Sequence, residues 1–199
     1  MNALTLYVLF LLFAVGGRIA VQYRRTGDHG IRPETWKSSS RLVSIAGPLL
    51  GGSLLANFVL SCLNASGLLR PQIDLGAAAT WAGTVIGLAG ITMTVISQQQ
   101  MGTAWRGGID DSERTPLVTH GLFSRIRNPI YAGLMGLGLG VLVLVPHALV
   151  LLFLVLQYIA IEVNVRHLEE PHLRHLHGEA YEQYFRRAGR YLPKLFRRT

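Results

Sequence analysis

Residues 130–161 read IYAGLMGLGLGVLVLVPHALVLLFLVLQYIAI, with no Asp, Glu, Lys or Arg between Ile130 and Ile161. One membrane-spanning helix needs about 17–25 apolar residues, so this stretch is too long for one span and of the right length for two. The two halves are joined at Val145-Pro146-His147 with almost no loop. The stretch therefore predicts a tight helical hairpin, with spans over about 130–146 and 147–163.

Working outward, three further apolar runs appear. Ala3 to Gly17, extended by Ile19 to Tyr23, predicts a span over about 3–23, with Arg18 near its end. No basic start precedes it, so it reads as a true first span rather than a signal peptide. Leu42 to Leu63 and Leu75 to Ile96 predict the second and third spans. The expected fold is an all-α integral membrane protein with five transmembrane helices, in one domain. The composition agrees: 50% of the 199 residues are hydrophobic and only 15% are charged, where soluble domains carry about a quarter. Cys62, the single cysteine, lies inside an apolar run and is given no role.

The formal charge of +8 is distributed by segment. Arg24, Arg25, Arg32, Lys37 and Arg41 follow the first span, and Arg106, Arg114, Arg125 and Arg127 follow the third. Arg166, Arg174, Arg186, Arg187, Arg190, Lys194, Arg197 and Arg198 follow the fifth. Only Arg70 lies between the second and third. With five spans the three basic segments share one side, and Lys and Arg are retained on the cytoplasmic side. The expected topology has the N-terminus outside and the C-terminus inside. Orientation in membrane lipids accounts for the charge without a nucleic-acid partner. Gly47 and Gly51, Gly83 and Gly87, and Gly136 and Gly140 each stand four apart, a spacing that lets helix backbones approach in lipid. Gly136, Gly138 and Gly140 do not make a dinucleotide loop, because the third glycine is one position short and no strand precedes them.

The two segments expected to carry chemistry are 97–129 and 166–199, both too long and too polar to be connectors. In the first, Asn128-Pro129-Ile130-Tyr131 opens the fourth span: Pro129 suits the first helical turn and Asn128 is placed to cap it. A helix start offers free backbone N–H groups to an anion. Two readings of this stretch stand side by side: a carboxylate site at the membrane edge, or plain anchoring with Arg127 snorkelling, Asn128 capping and Tyr131 in the aromatic belt. In the second segment Glu169 and Glu170 stand close to a span, where carboxylates are costly unless hydrated or given a partner. Leu173, Leu176, Tyr181 and Tyr184 recur at helical spacing across Gly178. His167, His172, His175 and His177 crowd together, but no cysteine joins them and no standard zinc spacing is met, so no metal site is expected. No Walker loop or catalytic triad is identifiable.

Taken in order, Leu117-Val118-x-x-Gly121, Arg127-Asn128-Pro129-x-Tyr131, a helical hairpin, Glu169-Glu170-x-x-Leu173, Gly178, Tyr181, Tyr184 and Pro193 resemble the isoprenylcysteine carboxyl methyltransferase family. Phospholipid N-methyltransferases share a related pattern. The resemblance covers about 102–193. It implies S-adenosylmethionine as cofactor, held by the two cytoplasmic segments, and a lipophilic or lipidated acceptor arriving from the bilayer, foremost a prenylcysteine-type carboxylate. Carried over by position, the cofactor contacts fall on Thr115, Pro116, Leu117, Val118, Phe123, Asn128, Pro129, Ile130, Tyr131 and Glu169. The resemblance also implies catalytic roles for Glu169 and Glu170, and an arginine facing the acceptor carboxylate, for which Arg166 is the nearest candidate. Asn128 and Thr115 stand where members often have histidine, and Phe123 where they have tyrosine. Two other classes share parts of the pattern: NADPH-dependent sterol-type membrane reductases, and non-catalytic membrane scaffolds.

Overall fold

Asn2 starts the first of five apolar helices among the described residues, its side chain accepting a hydrogen bond from the Thr5 N–H at 2.9 Å. A computed structural model describes residues 1–29, 41–102, 105 and 116–194. The helices are α1 (Ala3–Thr26), α2 (Arg41–Ala65), α3 (Gly76–Met101), α4 (Pro129–Leu144) and α5 (Ala148–His177), with a short α6 (Glu179–Arg187) packed at one end. The described residues are all-helical, without strands. Four of the helices, α1, α2, α3 and α5, are long and apolar enough to cross a membrane; α4 is a shorter apolar helix.

The hairpin turns where the sequence places it. Val145 leaves the helical conformation and His147 caps α5, its Nδ1 accepting from the Leu149 N–H at 3.1 Å. Gln72 fastens the α2–α3 loop to this hairpin: its N–H donates to Pro146 O, and its Oε1 accepts from the Ala148 N–H. Two boundaries differ from the sequence expectation. α1 runs on to Thr26, past the expected end near Tyr23, and Arg18 lies within it, 1% exposed, donating to Gln22 Oε1 and Gly102 O with its guanidinium 4.9 Å from the Trp105 ring centroid. The fifth apolar run does not stop at Val163 either. α5 continues to His177, so the first third of the C-terminal segment is an extension of the span helix.

Glycine sets the closest packing. α3 and α4 meet backbone to backbone: a Cβ built on Gly140 would lie 2.6 Å from Gly87 N and 2.7 Å from Gly83 O. Close approach of this kind supports helix association where lipid removes the hydrophobic drive. The Gly83/Gly87 and Gly136/Gly140 pairs thus lie at an interface. The third pair does not behave this way, because a Cβ at Gly51 would meet nothing within 4 Å. On the other side of α4, the buried Gln157 of α5 donates to Leu134 O at 3.1 Å. α1 fills the remaining groove with Leu6, Tyr7 and Phe10, Tyr7 packing edge-on against Phe10 and Phe58. The bundle brings the C-terminal end of α3, the N-terminus of α4 and the extended end of α5 together, and these ends carry the site.

Candidate functional site

The segment entering α4 is held from three directions. Gly121 takes φ +58° to start a 3₁₀ turn, Gly121–Ser124, and the Gln100 side chain at the end of α3 lies against it, Gln100 Oε1 accepting from the Leu122 N–H at 2.8 Å. A side chain at Gly121 would be strained by this φ and would overlap the Gln100 amide. Beyond the turn, the chain pairs in parallel with the C-terminal strap, residues 188–190: Gly189 N–H donates to Arg125 O (2.9 Å), Arg127 N–H to Gly189 O (2.7 Å) and Asn128 N–H to Arg190 O (3.0 Å). Tyr184 of α6 donates to Phe123 O at 2.8 Å, and Tyr181, Tyr184 and Ala188 form a small core with Leu117, Leu173 and Phe185. Burial pushes the Tyr181 hydroxyl up to about 12. Tyr184→Phe removes the buried hydroxyl that ties α6 to this turn and is expected to cost about 1 kcal/mol, read as a lower unfolding midpoint in detergent; an unchanged midpoint would show the bond contributes nothing.

An ionic centre joins the two segments. Glu170, 5% exposed, accepts from Arg127 Nη2 (3.0 Å), Arg190 Nε (3.1 Å) and Arg190 Nη2 (3.0 Å). Arg127 also donates from Nη1 to Ala188 O at 2.6 Å and stacks over Phe185, 3.9 Å from the ring centroid. Arg190 Nη1 reaches Glu162 Oε2 at 3.3 Å. Burial works against the charged Arg190 guanidinium, but hydrogen bonding and charge from Glu170, with Glu162, outweigh it and raise its pKa above the ordinary arginine value. Arg127 therefore turns into the protein and does not snorkel.

The helix is locally widened here. Val165–Glu169 form a π-turn in which the Glu170 N–H reaches back five residues to Val165 O. Pro171 follows directly; it has no N–H to give, and its ring would press on the carbonyl four residues back in a regular helix. The wider turn relieves that contact. It also lets two successive carboxylates serve different partners: Glu170 the arginines, and Glu169 the Tyr131 hydroxyl, which donates to its Oε1.

Glu169 is partly accessible, and among the described residues no cation pairs with it. Tyr131 brings it to the start of α4. There the expected cap is absent. Asn128 (φ −124°, ψ 61°) makes no side-chain bond to the helix, because its backbone is drawn into the ladder with Arg190, and its buried Nδ2 has no partner among the described residues. The N–H groups of Ile130 and Tyr131 lie in the first turn, where no intrahelical acceptor exists. The structure thus brings together Asn128, Pro129, Ile130, Tyr131 and Glu169. Phe123 is buried, Val118 is partly buried, Leu117 packs into the α6 core, and Pro116 is exposed. Thr115 lies outside the described residues. Arg166 is 56% exposed and bonds Glu162, one turn earlier on α5, and not the Glu169 cleft.

A family model described as phospholipid methyltransferase matches residues 78–180, from α3 to the start of α6. The chain belongs to the phospholipid methyltransferase family. No curated protein matches it. The matched region of this methyltransferase contains both parts of the candidate site, Asn128–Tyr131 and Glu169, together with the glycine-packed pair α3 and α4. It ends before Tyr184 and Arg190. Family and apolar helices together make the protein a multi-pass membrane methyltransferase. Reading the sequence alone missed the roles of Gln100, Arg127 and Arg190, since no local pattern tells an arginine that will be buried against a distant carboxylate from one that stays in solvent.

Proposed function

We propose that this methyltransferase uses S-adenosylmethionine and delivers its methyl group to a lipophilic acceptor that enters from the bilayer. The observation that carries the reading is the paired polarity of the cleft. Among the described residues, unpaired N–H groups and the orphaned Asn128 Nδ2 stand on one side, and a carboxylate without a cation, Glu169, on the other. The amino-acid end of the cofactor is zwitterionic and has complementary groups for both. The N-terminus of α4 would take its carboxylate, and Glu169 its ammonium or the ribose hydroxyls. The bound cofactor supplies an electrophilic methyl on a sulfonium, and transfer needs no protein nucleophile. The protein's part is to hold donor and acceptor in line and to exclude water. Tyr131 fixes the Glu169 carboxylate, and the strap and α6 close over the segment that enters α4.

In this reading all five helices span the membrane as one methyltransferase domain, with the N-terminus outside and the cleft cytoplasmic. The basic segments support that orientation. α4, at about 1.5 Å per residue, measures about 24 Å and is short for a hydrocarbon core of about 30 Å. A mismatch of this size is absorbed by tilt or local thinning. A prenylcysteine-type carboxylate is the acceptor we propose first. Among the described residues Arg127 and Arg190 are committed to Glu170; Arg166, exposed and bonded to Glu162, is the arginine we assign to meet the acceptor carboxylate.

Titration calorimetry on detergent-purified protein tests the cofactor. S-adenosylmethionine and its demethylated product are expected to bind and NADPH is not; binding of NADPH alone would replace this reading with a reductase. Transfer of labelled methyl to a prenylcysteine, compared with a phospholipid amine, then decides the acceptor.

A further inference from the structure

We infer that Arg190 is a positioning residue of the cofactor cleft and that it sets both halves of the cleft at once. The inference rests on the proposed cofactor site and goes beyond it, since Arg190 lies outside the region that matches the family and its side-chain hydrogen bonds run to Glu170 and Glu162 rather than to Glu169 or Tyr131. Its guanidinium engages both oxygens of Glu170, at 3.1 and 3.0 Å, and a third bond of 3.3 Å runs to Glu162. Glu170 directly follows Glu169 on the π-turn, so holding Glu170 fixes the rotation at which Glu169 faces Tyr131. Meanwhile the Arg190 carbonyl accepts the Asn128 N–H at 3.0 Å. That bond draws the Asn128 backbone out of capping geometry, and among the described residues its Nδ2 and the first N–H groups of α4 are left without a partner.

One residue thus locates the carboxylate on α5 through its side chain and the N–H cluster on α4 through its backbone. The strap that presents it is fastened independently: Gly189 is hydrogen-bonded through both N–H and C=O, and Lys194 Nζ donates to Arg186 O at 2.7 Å. Losing the guanidinium therefore leaves the strap in place but frees Glu170. The Arg127–Glu170 bond would remain as a single contact, and a bidentate fork fixes orientation in a way one contact does not. Misplacing a binding group by about 1 Å can cost up to about 100-fold.

The test compares Arg190→Gln, Arg190→Lys and, as a control for loss of positive charge, Arg187→Gln, an exposed position on α6. Affinity for S-adenosylmethionine by calorimetry, methyl transfer at saturating cofactor, and melting temperature are measured for each in detergent. Arg190→Gln is expected to weaken cofactor affinity by about tenfold or more while kcat at saturation changes far less, and Arg190→Lys, whose ammonium reaches one carboxylate oxygen, to recover part of the loss. Arg187→Gln is expected to match wild type. A purely structural role would lower the melting temperature and the active fraction and leave the affinity of the folded protein unchanged; wild-type affinity in Arg190→Gln overturns the inference. If Arg190→Gln does not fold, Arg190→Lys decides alone: weakened affinity upholds the inference and wild-type affinity overturns it. Wild-type protein that binds no S-adenosylmethionine overturns the proposed function itself, which is a separate result.

Discussion

Glu169→Ala is expected to reduce methyl transfer by about 100-fold or more while the protein remains folded. The two effects separate because Glu169 and its neighbour do different work. Glu170 lies between two arginines and holds two segments of the chain together. Among the described residues Glu169 has one side-chain partner, the Tyr131 hydroxyl, and it remains partly accessible. Removing it releases Tyr131 but breaks no ion pair among the described residues. What is lost is the carboxylate opposite the N–H groups of α4, and with it the group proposed to bind the cofactor's ammonium or ribose. Affinity for S-adenosylmethionine should fall with the activity. Calorimetry, initial rates and a melting curve on one preparation check all three. Unchanged cofactor affinity in Glu169→Ala would remove Glu169 from the site.

Gly90→Val is expected to disrupt the bundle, at a cost of about 3 kcal/mol, near the top of the range for overpacking. A Cβ on Gly90 would lie 2.5 Å from Leu137 N, 2.6 Å from Gly133 O and 2.8 Å from Gly136 C. These are backbone atoms in the middle of α4, and no rotamer change can move them aside. The helices must separate, and the loss extends to the contacts of Gly83 and Gly87 with Gly140 along the same seam. Because α4 carries Asn128 and Tyr131 at its N-terminus, activity should fall as the seam opens. Gly51→Val is the matched control. The same change on α2, at a position with nothing within 4 Å, is expected to leave the melting temperature unaltered in detergent. Equal melting of Gly90→Val and wild type would show that the seam tolerates separation.

The sequence by itself determined the helices and their order. Run length and the break at Val145-Pro146-His147 are local properties, and local spacing carries them because each helix satisfies its own backbone. It also marked the two polar segments as the place for chemistry, and Asn128–Tyr131 and Glu169 within them as the residues to examine. Two of the three glycine pairs proved to be contacts; the third could not be told apart, because spacing shows that a helix permits close approach and not which neighbour arrives. The tertiary structure alone decided the partners. Arg127 and Glu170 are 43 residues apart, and Arg190 and Glu170 are 20; an arginine reads the same in sequence whether it snorkels to water or is buried against a carboxylate. The loss of the Asn128 cap follows from the same cause. A backbone bond to Arg190, made possible only when the strap packs beside the entry to α4, overrides the local preference of Asn128 and turns a helix start into the open side of a cleft.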